Sequence, residues 1–143
     1  MQFSSASRQT GVTGRRVLVI ERSRTIQTLL AVYLRNAGHQ VLVCSTPQEA
    51  LKLLADLRLA PECIMVAVHG PEQDDYGFIR TVKGQAVYAR VHLIAMVLQE
   101  DMAEVQRRLK DVRVSYLGKP FRIQEALALV AAPVVGNGVS RVS

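Results

Sequence analysis

Hydrophobic residues along the chain form short apolar runs that alternate with longer amphipathic segments. The run RVLVIE, at residues 16–21, has the composition of a strand buried on both faces. The segment SRTIQTLLAVYLRNAG, which follows at once, repeats apolar residues at intervals of three and four, as an amphipathic helix does. Five such alternations are present, and they predict repeated strand–helix units around a parallel sheet.

The apolar runs and the amphipathic segments fix where each element is expected. The predicted strands are Arg16–Glu21, Gln40–Cys44, Cys63–Val68, Val91–Val97 and residues 114–118. The predicted helices occupy residues 23–37, 46–57, 78–85, 101–111 and 121–132. The apolar positions expected on helical inner faces are Ile26, Leu29, Leu30, Tyr33, Leu34, Leu51, Leu54, Leu57, Met102, Val105 and Leu109.

Several helix boundaries carry capping signals. Ser23 is suited to accept the first free amides of the first helix, and Gly38 is suited to end it. Thr46 with Glu49 three residues later, and a proline between them, predicts a capping box at the second helix. Asp101 is expected to cap the fourth helix.

Length and composition indicate one globular domain. The chain has 143 residues, of which 49% are hydrophobic and 21% charged, a balance that argues against disorder or a fibrous repeat. Hydrophobic periodicity is lost at both ends, so residues 1–14 and 133–143 are expected to be tails around a domain at 15–132. No run is long enough to span a bilayer and no secretion signal is evident, so a cytoplasmic protein is expected.

Cysteine spacing and net charge exclude few classes of function. Cys44 and Cys63 each lie in an apolar run without metal-ligand spacing, which predicts reduced, buried thiols and no metal. The net charge of +6 is spread along the chain and permits an acidic partner or nucleic acid without requiring either. No phosphate-binding glycine motif follows the first strand, which disfavours a flavodoxin-like cofactor carrier.

Candidate site residues follow from the carboxyl ends of the predicted strands, where ligands bind in an open parallel sheet. The first strand ends at Glu21 and Arg22, the third at Ala67, the fourth at Val97 and the fifth at Lys119. Only one acid stands among these positions. The question is therefore why a methyl group lies where a reactive side chain is expected.

Three motifs in the chain resemble the receiver domain of two-component response regulators. YLGKPF is similar to the fifth-strand Lys-Pro signature of that family, VLVIERS to its first strand, and PECIMVAVHGP to its third strand. The resemblance covers Arg16 to Ala132. It implies a flavodoxin-like (βα)5 doubly wound sheet, with strand order 2-1-3-4-5, that is switched by Mg²⁺-dependent phosphorylation of an aspartate.

Transferred residue by residue, the resemblance implies a degenerate phosphoacceptor pocket. The acceptor aspartate falls on Ala67, which has no lone pair to attack phosphorus. The acidic pair falls on Glu21 and Arg22, too few carboxylates for Mg²⁺, and the fourth-strand Ser or Thr falls on Val97. Lys119 remains, so we expect it to pair with Glu21, while Arg22 either fills the vacated cation position or turns to solvent.

Other positions of the resemblance leave alternatives open. The loop between Pro71 and Gly77 is two residues longer than usual, and Tyr76 replaces an aspartate. Asp74 or Asp75 is then a conceivable substitute acceptor, though far from Lys119 along the chain. Tyr116 occupies the switch-aromatic position, where a packing role is favoured over switching because nothing remains to couple to it.

These expectations predict a receiver-like signalling domain that is not phosphorylated, is not an enzyme and has no cofactor. It acts through protein partners, with a homodimer possible. The candidate partner face is basic and consists of Arg107, Arg108, Lys110, Arg113 and Arg122. The alternatives are a nucleic-acid-binding module that uses this face, or a receiver phosphorylated at another acidic residue.

Overall fold

A computed structural model of the chain describes residues 14–56, 58, 60–69 and 75–132. The strands are β1 (Arg16–Ile20), β2 (Gln40–Cys44), β3 (Cys63–Val68), β4 (His92–Leu98) and β5 (Ser115–Lys119). The helices are α1 (Arg24–Asn36), α2 (Pro47–Leu54), α3 (Asp75–Lys83), α4 (Met102–Arg108) and α5 (Ile123–Ala131). The two predicted tails lie outside this range, except for Gly14.

The five strands form one sheet in the order β2-β1-β3-β4-β5, and every neighbouring pair is parallel. The predicted doubly wound fold and its strand order are therefore confirmed. Parallel neighbours require crossover connections, and the intervening helices supply them. All carboxyl ends of the strands consequently meet at one edge of the sheet.

Alternate residues of each strand enter two separate cores, one on each face of the sheet. Leu18 and Ile20 of β1 belong to the cluster that includes buried residues of α2, α3 and α4. Val17 and Val19 belong to the cluster that includes residues of α1 and α5. Because successive side chains of a strand point to opposite faces, cluster membership identifies the face that each strand residue occupies.

The inner face of α1 is narrower than its periodicity predicts. Leu30 and Leu34 are fully buried, as expected, and Ala31 is buried with them. Leu29 and Tyr33 were predicted to face inward but are 39% and 44% exposed. The helix packs its Leu30–Leu34 edge on the sheet, so the neighbouring apolar positions lie on its outer side.

Three other predicted positions shift in the structure. α3 begins at Asp75, not at residue 78, and ends at Lys83. Asp101 precedes α4 but makes no capping hydrogen bond, because residues 99–101 form a 3-10 turn that leads into the helix. On α2, Leu54 is buried while Leu51 is 39% exposed, and Leu57 lies outside the described residues.

Most other local predictions hold. The capping box is present, since Thr46 Oγ1 accepts from the Glu49 amide at 3.1 Å and the Glu49 carboxylate accepts from the Thr46 amide at 3.1 Å. Cys63 is a buried free thiol, as predicted, whereas the free thiol Cys44 is only half-buried; burial raises the pKa of each to about 12. Within the described ranges, no helix has the length and apolar character that crossing a membrane requires.

Candidate functional site

An ion pair joins the carboxyl ends of the first and last strands. Lys119 Nζ, at the end of β5, donates to Glu21 Oε1, which follows β1, at 2.7 Å. Strands β3 and β4 lie between them, a separation of about 14 Å at the usual strand spacing. The two side chains therefore reach over the ends of β3 and β4, and the predicted pairing is confirmed.

Glu21 is held from both oxygens and is only 2% exposed. Its Oε2 accepts from the backbone amide of Ser23 at 3.0 Å, while Oε1 is occupied by Lys119. The backbone carbonyl of Glu21 accepts a short hydrogen bond from the Gln27 side chain. The carboxylate is thus fixed by the start of α1 as well as by β5.

Ala67 lies on the same face of the sheet as this ion pair. Its side chain is 4% exposed and belongs to the core cluster that contains Val19 and Leu117. Two residues further along β1 and β5 stand Glu21 and Lys119, which share that face by alternation. The methyl group of Ala67 therefore lies on the face of the Glu21–Lys119 ion pair, at the position that the resemblance assigns to the acceptor aspartate.

Val97 and Leu98, the last two residues of β4, lie on opposite faces of the sheet. Val97 is fully buried in the opposite core cluster, and its partner in the register of β4 and β5 is Gly118. Leu98 is the register partner of Lys119 and is 45% exposed. Because register partners face the same side, Leu98 is the β4 side chain beside Lys119, and it too is unable to donate a hydrogen bond.

Arg22 is exposed, whereas Glu21 directly before it is buried. Of the two orientations predicted for Arg22, its exposure fits the one toward solvent.

Asp75 is committed to a structural contact. It is 2% exposed, and its Oδ2 accepts from the His69 amide at 2.8 Å and lies 3.4 Å from His69 Nδ1. The contact ties the end of β3 to the start of α3. Asp74, the other conceivable acceptor, lies outside the described residues.

Tyr116 is a packed side chain in this structure. It is 7% exposed and belongs to the core cluster that includes Val97. Burial raises the pKa of its hydroxyl, and the neighbouring Tyr76 adds to that shift. This environment fits the packing role favoured from the sequence.

The residues present do not fit the Mg²⁺ that the resemblance implies. Mg²⁺ needs several oxygen ligands in near-octahedral geometry. Glu21 uses both oxygens for Lys119 and Ser23, and Ala67 offers none. Among the residues that the structure describes, no group of three His, Cys, Asp or Glu side chains is placed to hold a metal ion.

Two arginines of the predicted basic face, Arg107 and Arg108, share one carboxylate of α4. Glu104 accepts from Arg107 at 2.5 Å and from Arg108 at 2.6 Å, pairs three and four residues apart on one helix. Residues 99–113 carry four acidic and four basic side chains. Arg122 precedes α5 as its N-cap residue, where its amide donates to Glu125 at 2.8 Å.

Comparison with known proteins extends these observations. No family model matches the chain. The transcriptional regulatory protein GltR of Pseudomonas aeruginosa is 28% identical over 119 residues, which cover 83% of this chain and 48% of GltR. The chain therefore spans about half the length of that relative.

Solved structures give the same fold. The signal receiver domain of a signal transduction histidine kinase from Syntrophus aciditrophicus aligns with a TM-score of 0.68 at 26% identity, over 80% of this chain and 85% of that one. The chemotaxis response regulator CheY4 of Vibrio cholerae aligns with a TM-score of 0.70 at 24% identity, over 82% and 97%. The homologues and structural neighbours of the chain are thus response-regulator receiver domains, and its fold is the receiver fold.

Proposed function

We propose that this chain is a receiver-like signalling domain that binds protein partners of a two-component pathway in the cytoplasm, without phosphorylation at the third strand. The observation that carries the proposal is buried Ala67 under the closed Glu21–Lys119 pair. A methyl group has no lone pair for a phosphoryl donor. Lys119, the cation that remains, is already neutralised by Glu21.

The same arrangement argues against a phosphorylation-driven switch. A ligand shifts a conformational equilibrium only through interactions that differ between the two states. Here the side chains at the acceptor and hydroxyl positions are Ala67 and Val97, neither of which distinguishes a phosphoryl group from water by hydrogen bonding. The domain is therefore proposed as a module with one resting conformation and no catalytic reaction of its own.

Phosphorylation can be tested with acetyl phosphate and Mg²⁺, followed by intact-protein mass spectrometry. We expect the mass of the native chain to stay unchanged. The matched control is the triple variant Arg22→Asp/Ala67→Asp/Val97→Thr, which restores the acids and the hydroxyl, and which we expect to gain one phosphoryl group. A phosphoryl group on the native chain, at Asp75 or elsewhere, would overturn the proposal.

The partner surface that we propose is the outer side of α1. Leu29, Val32 and Tyr33 are 39%, 47% and 44% exposed and line a shallow apolar depression together with Arg24. Residues three and four apart adjoin on a helix surface, so these side chains form a continuous stripe. An exposed apolar stripe of this kind is typical of an interaction site.

Charge indicates the kind of partner. Helix α1 contains no acidic residue, and Arg24 and Arg35 stand near its two ends. Two copies packed along α1 would bring arginine against arginine in either direction, which is repulsive. We therefore propose a partner with an apolar helix or groove flanked by carboxylates. The α4 arginines, paired with Glu104, make nucleic acid the less favoured alternative.

The α1 surface can be tested by affinity capture from the native host, followed by binding measurements with the purified captured protein. We expect Val32→Asp/Tyr33→Asp to abolish binding. Two controls test other exposed positions: Val87→Asp, at a 55% exposed residue, and Arg107→Ala/Arg108→Ala on α4. Binding that survives on the α1 variant but is lost on the α4 variant would overturn this choice of surface.

A further inference from the structure

A polar cleft lies near the amino-terminal ends of the strands, opposite the carboxyl ends where Ala67 lies. It has a volume of about 340 Å³ and is formed by the end of α3 and the segment before β5. Its charged lining residues are Arg80, Lys83, Asp111 and Arg113. Three positive side chains therefore face one carboxylate.

Arg80 and Asp111 neutralise each other within the cleft. Arg80 NH1 donates to Asp111 Oδ2 at 3.0 Å, and NH2 donates to Asp111 Oδ1 at 3.3 Å. The guanidinium also donates to the backbone carbonyl of Arg108 at 2.7 Å. Both oxygens of Asp111 are therefore occupied by Arg80. The carboxylate does not pair with Lys83 or Arg113.

Lys83 is anchored but keeps a donor. Its ammonium donates to the carbonyls of Ala89 and Val91, each at 3.1 Å, and an ammonium has three N–H groups. Burial lowers the pKa of Lys83, and the positive charge of Arg113 lowers it further. Lys83 and Arg113 line the same cleft, so two like charges face one small volume there.

Arg113 supplies the second available cation. It is exposed, lines the cleft, and makes no ion pair with any residue that the structure describes. Its guanidinium offers a planar set of donors that matches two oxygens of an anion. An anion between Lys83 and Arg113 would satisfy both groups and relieve their repulsion.

We propose that this cleft binds a doubly charged oxyanion of the phosphate-monoester class between Lys83 and Arg113. A dianion balances both unneutralised cations, whereas a carboxylate balances one. The volume lies at the small end of ligand pockets, about 300 Å³ upward, which suits a single phosphate group and few further atoms. The site is separate from the strand-end pocket, and it does not depend on the proposed function.

The test uses the full chain, titrated with inorganic phosphate at constant ionic strength and followed by amide NMR. We expect saturable shifts at Gly84 and at residues 111–113. Arg113→Gln should weaken phosphate binding at least about tenfold, because a charge-assisted hydrogen bond is lost. The affinity of Arg113→Lys should lie between those of the native chain and Arg113→Gln. The control Lys52→Gln removes an exposed cation of α2 and should leave the affinity unchanged.

A second readout follows the pKa of Lys83 by side-chain NMR. Both bound phosphate and the Arg113→Gln change should raise this pKa, the first by adding a negative charge and the second by removing a positive one. Ribose 5-phosphate in place of inorganic phosphate shows whether an esterified phosphate is accepted. Shifts that do not saturate, an unchanged affinity in Arg113→Gln, or a Lys83 pKa that phosphate leaves unmoved would overturn the site.

Discussion

Glu21 and Lys119 are ninety-eight positions apart in the chain, yet their side chains meet at 2.7 Å across the ends of two intervening strands. Glu21 is 2% and Lys119 15% exposed at the side chain, so the pair is largely removed from water. The small side chain of Ala67 lies on the same face of the sheet. This ion pair thus spans the carboxyl ends of β3 and β4, where a receiver domain is expected to hold its phosphoacceptor pocket.

Breaking this pair should destabilise the fold. Lys119→Met leaves the buried Glu21 carboxylate without its cation, and we expect the free energy of unfolding to fall by about 3 kcal/mol. Glu21→Gln/Lys119→Met removes both charges and should lie within about 1 kcal/mol of the native chain. Urea denaturation measures both values.

An exposed ion pair provides the control for that experiment. Arg58 and Asp56 lie 2.9 Å apart, with side chains 77% and 35% exposed. Arg58→Met should therefore leave the midpoint of urea denaturation nearly unchanged. Equal losses in Arg58→Met and Lys119→Met would show that burial of the Glu21–Lys119 pair is unimportant.

Restoring carboxylates at the strand ends should restore a metal site. The native chain is expected to show no Mg²⁺-dependent change in its amide NMR spectrum. Arg22→Asp/Ala67→Asp adds two carboxylates beside Glu21 and should bind Mg²⁺ through oxygen ligands, with shifts centred on residues 21–22 and 67–69. A double variant that folds but ignores Mg²⁺ would contradict our placement of the pocket.

Gly118 should be constrained by Gln99. A Cβ at residue 118 would lie 2.1 Å from Gln99 Nε2, so the glutamine side chain must move. Because Gln99 is exposed and its amide is the free end of a flexible side chain, we expect Gly118→Ala to cost less than about 1 kcal/mol, below the range for a packed core, and less still when Gln99→Ala is also present. Urea denaturation of the two single variants and the double variant gives the coupling energy. Equal costs in both backgrounds would exclude this contact as the cause.

Stability should fall below about pH 6.5 because of two buried histidines. His39 Nδ1 accepts from the Arg15 amide at 3.0 Å, and His92 Nε2 lies 2.7 Å from Ser115 Oγ. Burial lowers the pKa of both rings from 6.5, and the charge of Arg15 lowers it further, with Lys83 adding to the shift at His92.

The sign follows from proton linkage. The unfolded chain takes up protons near pH 6.5 while the folded chain does so only at lower pH, so acid favours unfolding. The free energy of unfolding should reach its highest value above about pH 6.5 and decline between about pH 6.5 and pH 5. His39→Gln/His92→Gln should flatten the decline. Stability that rises over this interval would contradict the account.

Local sequence signals predicted most of the fold. The alternation of apolar runs and amphipathic segments gave the order of elements, and Thr46 with Glu49 fixed the start of α2, because a capping box involves only neighbouring residues. Glu104 precedes Arg107 and Arg108 by three and four residues, so their pairing with its carboxylate was also within reach of the sequence. The buried side of α1 was harder to predict from the sequence, since Leu29, Leu30 and Leu34 all fit the same helical period.

The sequence by itself determined that a methyl group stands at residue 67, and with it the loss of any nucleophile there. Only the tertiary structure decided which side chains surround it. A shift of one residue moves a strand side chain to the other face of the sheet, so the register of β4 and β5 was needed to place Leu98 beside Lys119. Contacts such as Glu21–Lys119 and His92–Ser115 depend on distant segments meeting, which no local pattern encodes.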